Sequence, residues 1–296
     1  MEDPIILGTL KTAEIVLLKN STRAWLLLSL ISIFLVSVGY HLASREGLLW
    51  GFAIALILNS VVYFYGDIFI VRQFNGKNVE GYDPYGLTLI LRKLSKRAGV
   101  EAPWIRILPT SSLIAFSAGR NTKNSCIFVS HGLVNRLEPE ELEAVLAYEL
   151  ASIVTYNTLA STIASALMNG LMVIPNIIDQ GLSWALNIKW VAQKRGQFTV
   201  WLVLPLCQII LKLCIKETTP SEIDAQASEW LSSKSILAKT LWKLESYAQT
   251  LPYKAPAPMA HLFMVNPLTK KGWTRYFVHR MTTEHRIKKL LGYYPI

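Results

Sequence analysis

The sequence predicts a mainly helical α+β protein: four transmembrane helices with a cytoplasmic polar domain that contains a small β-sheet. Three observations lead there. The 296 residues are 52% hydrophobic and only 17% charged, where soluble domains average about 25% charged. The apolar excess collects in four runs. Between the runs lie polar blocks in which helix-like and strand-like patterns alternate. Low hydrophobicity with high charge, the signature of disorder, is missing. Three cysteines, Cys126, Cys207 and Cys214, make no C-x-x-C pair, which argues against a disulfide framework or a cysteine zinc site.

An N-terminal cytoplasmic segment, 1–23, leads into the first run, 24–43, which carries no Asp, Glu, Lys or Arg. The second run, 48–70, is interrupted only by Asn59 and Asp67. A spanning helix needs about 20 predominantly apolar residues to cross roughly 30 Å of hydrocarbon, and both runs are long enough. The connector of 44–47 forces them into a hairpin, transmembrane hairpin 1 over 24–70, with Trp50, Tyr63 and Tyr65 suited to the interfaces. The length of the first run, with no small-residue cleavage site after it, reads as a retained anchor rather than a signal peptide. The runs 156–178 and 198–215 form a second hairpin over 156–215, whose tip carries Lys189, Lys194 and Arg195. Basic residues flank the first hairpin at Lys19, Arg23, Arg72 and Lys77. The positive-inside rule therefore places the N-terminus and the polar domain in the cytoplasm.

The domain comes in two parts, 71–155 and 216–296. The first carries ten Lys and Arg against eight Asp and Glu; the second carries twelve against six. Much of the net charge of +10 thus sits in the C-terminal block. No Gly-rich phosphate loop or RNA-binding aromatic motif accompanies it, so it reads as a solvated cytoplasmic face and no nucleic-acid partner is expected. Asn59, Asp67 and Lys212 within the apolar runs would motivate a transport role. Asp67 and Lys212, however, lie near run ends, where side chains reach the interface.

Within the first part, 86–98 reads as an amphipathic helix. Strand-like pieces follow at 104–108, 114–116 and 126–130. A helix opens at Glu138-Pro139, with proline at its first position and Glu140, Glu141 and Glu143 near its positive end. It carries Tyr148-Glu149-Leu150-Ala151-Ser152. Two histidines at i and i+4 on such a helix would share one face and bind zinc, as H-E-x-x-H, with the glutamate as general base. Here only the glutamate stands.

The surroundings of that helix are more informative. The run LEPEELEAVLAYELASIVTYNT resembles the motif helix of the HtpX-like family of integral-membrane zinc metalloproteases. LPTSSLIAFSAGRN is similar to that family's strand-and-turn segment, and SEIDAQASEWL to its E-F-x-A-D segment. PMAHLFMVNPL and TTEHRIKKL resemble its C-terminal segments. The resemblance implies a zincin-like domain and a zinc held by two histidines and the glutamate that corresponds to Glu222. It also implies that the strand edge over Ser112, Leu113, Ile114, Ala115, Phe116 and Ser117 receives extended peptides by β-augmentation.

The departures from the family pattern are several. Tyr148 and Ser152 replace the histidines, Asn157 and Gln226 replace acidic positions, and Ile114 replaces an asparagine. Arg280-Met281-Thr282 stands where the family has H-P-P. A catalytic zinc needs three protein ligands, and a phenol with an ordinary pKa of about 10 is a weak one. The expectations are therefore a chain that binds no metal and is not an enzyme: a pseudoprotease acting as scaffold, regulator or subunit of a membrane complex. Its degenerate site would comprise Tyr148, Glu149, Ser152, Glu222 and Arg280. Glu149 and Glu222 would face each other with Arg280 as counter-ion, and the Tyr148 ring would fill the metal cavity. A zinc endopeptidase using His131, His261, His279 or His285 as replacement ligands is the alternative.

Overall fold

The computed structural model describes residues 4–79, 83–186, 199–267 and 281–293, with side chains from residue 21 onward except at 183, 185 and 186. The chain opens with α1 (Pro4–Phe74), broken at Ala43 (φ −143°, ψ 30°) and Ser44 (φ 48°, ψ −127°). Helical hydrogen bonding cannot continue through these angles, and the two legs fold back on each other. Glycine makes the close approach possible. A Cβ on Gly47 would lie 1.9 Å from the Gly39 carbonyl oxygen, and one on Gly51 would lie 2.6 Å from that of Leu35. Farther down the hairpin, Asn59 Nδ2 donates to Ser32 Oγ at 2.7 Å, and Trp25 packs on Tyr63 with ring centroids 5.3 Å apart. Asn59 is thus an interhelical clasp.

Only 11% of the most apolar window of this hairpin is buried within the protein. Ile33, Phe34, Leu49, Phe52 and Ile57 face outward, an apolar belt on a helix pair long and apolar enough to cross a membrane. The second leg runs on past its apolar stretch. Its last turns carry Ile70 and Phe74 into a core with Phe116, Phe128 and Phe263.

The short β1 (Lys77–Asn78) follows, then α2 (Leu87–Ala98), β2 (Trp104–Leu108), β3 (Ala115–Gly119) and β4 (Ser125–Ser130). The sheet order is β1-β2-β4-β3; β2 and β4 are parallel, and the other two pairings are antiparallel. The strand predicted at 114–116 begins one residue later and runs three further, and β1 was not predicted. After α3 (His131–Arg136) comes α4 (Pro139–Val154). Its start combines Pro139 with a reciprocal capping box between Glu138 and Glu141. From Ala144 to Ile153 every residue of α4 is buried. The helix is apolar all round because it lies inside the domain, with α2, β3 and β4 against it.

Tyr156, at φ 53°, turns the chain into α5 (Asn157–Leu186). Its first turns lie under the sheet: Thr162 Oγ1 accepts from the Gly119 amide. Its window 157–182 is long and apolar enough to cross a membrane. The fourth apolar run is α6 (Val200–Cys214), 15 residues, shorter than the 18 that candidate spans among the described residues reach. Then come α7 (Thr219–Trp230), α8 (Lys234–Thr250), a 3₁₀ turn (Ala257–Leu262) and α9 (Thr283–Leu291). Both α7 and α8 pack on α4, and α9 packs on both of them.

Candidate functional site

The site is built on α4. Tyr148 and Glu149 are side by side in its buried stretch, 2% and 1% exposed. Across from them α9 presents Arg286, itself 3% exposed, with its guanidinium carbon 5.0 Å from the centre of the Tyr148 ring. That guanidinium is fully used. Nε and Nη2 donate to the two carboxylate oxygens of Asp224 at 2.8 and 2.7 Å, and Nη1 donates to the Met264 carbonyl at 2.7 Å. Fork-to-fork pairing of this kind is the strong form of a carboxylate contact. Asp224 comes from α7 and is fully buried. Burial alone would lower the Arg286 pKa, but Asp224, Tyr148 and Glu149 outweigh it and hold the guanidinium above its ordinary value.

Glu222 is half-buried one turn into α7, where its Oε1 accepts from Lys216 Nζ at 3.0 Å and from Thr218 Oγ1 at 3.2 Å. Successive helical positions point about 100° apart, so on α7 it is Asp224, two residues on, that turns inward. Arg286 is the counter-ion of Asp224, and Arg280 lies outside the described residues. Tyr148 does occupy the centre of the site, its ring face covered by the guanidinium. Ser152 has joined a buried chain of hydroxyls: Thr158 Oγ1 lies 3.2 Å from Ser152 Oγ and 3.1 Å from Ser117 Oγ. Asn157 Nδ2 donates to Ser152 Oγ at 3.2 Å, while Gln226 points away and donates to Glu229.

The strand edge expected to receive peptides is also altered. Ser112, Leu113 and Ile114 precede β3. Ala115, Phe116 and Ser117 lie on it, fully buried. The Met264 amide donates to the Ala115 carbonyl at 3.1 Å, and Phe116 bridges Phe263 in antiparallel fashion. The chain's own 263–264 segment therefore covers the outer side of β3. The exposed edge of the sheet is β1.

Zinc does not fit these donors. Two histidine positions hold a phenol under a guanidinium and a hydroxyl engaged with Thr158 and Asn157, and the remaining ligand position faces Lys216. Among the described residues no group of three or more His, Cys, Asp or Glu is placed to hold a metal. The proposed replacement histidines are dispersed. His131 contacts Tyr85 and Asn135, His261 is buried against Ser161 and Ser165, and His285 contacts Thr282. His279 lies outside the described residues. Residue reasoning missed Asp224 and Arg286. The available signal was a pair of opposite charges on helix faces that are otherwise buried.

A sequence profile of peptidase family M48 matches residues 86–268. The chain is 32% identical over 275 residues to a protease HtpX homolog of Pelotomaculum thermopropionicum, covering 92% of this chain and 98% of that one. It is 30% identical over 275 residues to another from Pyrococcus furiosus, covering 90% and 94%. Among solved structures, Ste24p of S. mikatae superposes with a TM-score of 0.50 at 16% identity, over 93% of this chain and 66% of that one. That likeness bears out the mainly helical fold with a small mixed sheet; among the described residues the stretches long and apolar enough to cross a membrane are 21–74 and 157–182. The relatives correct one expectation outright. A chain that is not an enzyme was expected from the missing histidines, whereas the peptidase family and its protease homologues point to a protease.

Proposed function

Because the chain belongs to peptidase family M48, we propose that it acts on polypeptides at the membrane surface, as a member of a membrane protein complex. In this reading its N-terminus and polar domain are cytoplasmic and its four apolar runs all cross. The bias of Lys and Arg toward the segments flanking hairpin 1 supports the orientation. The single observation that carries the reading is α4: it keeps the family's central helix and its carboxylate, Glu149, buried, in a chain 32% identical to a protease homologue. Zinc, where family members hold it, polarises a carbonyl and activates water. No step is routed through it here, because the donors do not fit. What the chain's own residues do is bury the Glu149 carboxylate on α4. The internal 263–264 segment closes β3, so polypeptide capture is not assigned to that edge.

The test uses the full chain in detergent with fluorescent unfolded casein, following retention and cleavage in the same sample. Saturable retention is expected, with any cleavage falling on Glu149→Gln. Casein that is neither retained nor cut overturns the reading.

A further inference from the structure

The turn that joins β3 to β4 carries two cations, Arg120 and Lys123, and is held firmly by its own backbone. The Arg120 amide donates to the Asn124 carbonyl at 3.2 Å. The Asn124 amide donates to Asn121 Oδ1 at 2.6 Å, and Ser125 Oγ donates to the Thr122 carbonyl at 3.2 Å. The Arg120 guanidinium lies over the ring of Phe64, its carbon 5.3 Å from the centroid, and Lys123 is exposed. Among the described residues neither cation has a carboxylate partner. Asp67, three residues beyond Phe64, accepts instead from the adjacent Ile68 amide at 2.8 Å.

The level of this turn along hairpin 1 gives the charges a meaning. The helix from Arg45, at the tip, to Phe64 rises about 28 Å, close to the thickness of a bilayer's hydrocarbon core. Two further contacts fix the same level. Thr162 Oγ1 accepts from the Gly119 amide at 3.2 Å, and a Cβ on Gly66 would lie 3.5 Å from Thr162 Cγ2. Phe64 and Tyr65 still face outward there, 53% and 60% exposed. Trp104 stands at this end of the sheet, in register with Cys126, and is 63% exposed. Tryptophan and tyrosine beside unpaired cations, one hydrocarbon thickness from the tip, are the composition of a headgroup layer.

We infer that the β3–β4 turn binds anionic phospholipid headgroups, with Arg120 and Lys123 taking the phosphate and Trp104 resting at the interface. The turn thereby holds the sheet against the bilayer. This rests on the crossing of hairpin 1 proposed above.

The test reconstitutes the full chain in phosphatidylcholine vesicles with traces of spin-labelled phosphatidylglycerol or phosphatidylcholine, and measures the lipid immobilised on the protein. At low salt the unaltered chain should favour phosphatidylglycerol about fivefold, and Arg120→Gln/Lys123→Gln should reduce that to about twofold or less. A preference that is absent, or unchanged in the double variant, overturns the inference and leaves the crossing intact. Immobilisation of neither lipid overturns the crossing, and the inference with it. A second measurement spares Arg120. A fluorophore on Lys123→Cys should lose much of its emission when the vesicle lipid carries a headgroup nitroxide; emission that the nitroxide leaves unchanged places the turn in water and overturns the inference.

Discussion

Glu141 is buried in the first turn of α4, 1% exposed, and its pKa lies below the ordinary glutamate value of 4.5. Burial by itself would raise it. Lys243 Nζ at 2.6 Å, the Glu138 amide at 3.0 Å and Lys239 Nζ at 3.4 Å overcome that cost. A carboxylate whose folded pKa is depressed contributes stability above its unfolded pKa and loses it as pH falls through the folded one. Glu141→Gln should therefore cost about 2 kcal/mol at pH 7, with the difference from the parent shrinking below pH 4.5. Denaturant melts at pH 7 and pH 3 check this; a penalty of equal size at both would mean that packing, not charge, is responsible. The capping role of Glu141 was legible from its position three residues after Glu138, because a cap is a local device. The pairing of Arg286 with Asp224 was not. Their 62 positions of separation are closed only by the packing of α9 on α7.

At the level of elements, the same division holds. The two legs of α1 are legible because lipid imposes a length and an apolar composition on any span. The helix α4 announces itself through its cap and proline. β1 is two residues long, too short to show any period, and exists because β2 offers it a ladder. The 263–264 segment is equally invisible, since its pairing to β3 joins residues about 150 apart. Its anchor is Phe263, fully buried, with ring centroids 5.0 Å from Phe116, 6.0 Å from Phe74 and 6.2 Å from Tyr253. One ring thus ties the membrane hairpin's last turn, the edge strand and the C-terminal segment together. Phe263→Ala should cost about 3–4 kcal/mol and uncover the edge of β3. Hydrogen exchange is the readout: amides of 115–117 and 263–264 should lose protection together, before α4 does. Unchanged protection at β3 would show that the segment is not what covers it.

At the scale of the whole molecule, the question is which way this assembly sits in its membrane. The soluble domain is joined to the apolar part by more than a linker. Phe74 enters its core from α1, and α5 begins beneath its sheet through Thr158 and Thr162. Arg120, at the end of β3, lies over the ring of Phe64 on α1, 5.3 Å from its centroid. On the proposed crossing of hairpin 1, these ties put the domain and the lower ends of the helices on one side of the bilayer and the Ala43–Ser44 reversal on the other. The native cysteines Cys126, Cys207 and Cys214 are all buried, so an introduced thiol reports cleanly. Lys123 in the turn before β4 and Glu46 beside the hairpin tip are both exposed. On the proposed orientation, Glu46→Cys reacts with a membrane-impermeant maleimide on intact cells, and Lys123→Cys reacts only after the membrane is opened. The reverse pattern would invert the topology while preserving the fold. Labelling of both on intact cells would contradict a crossing hairpin, because Glu46 lies at its tip and Lys123 in the domain at its base.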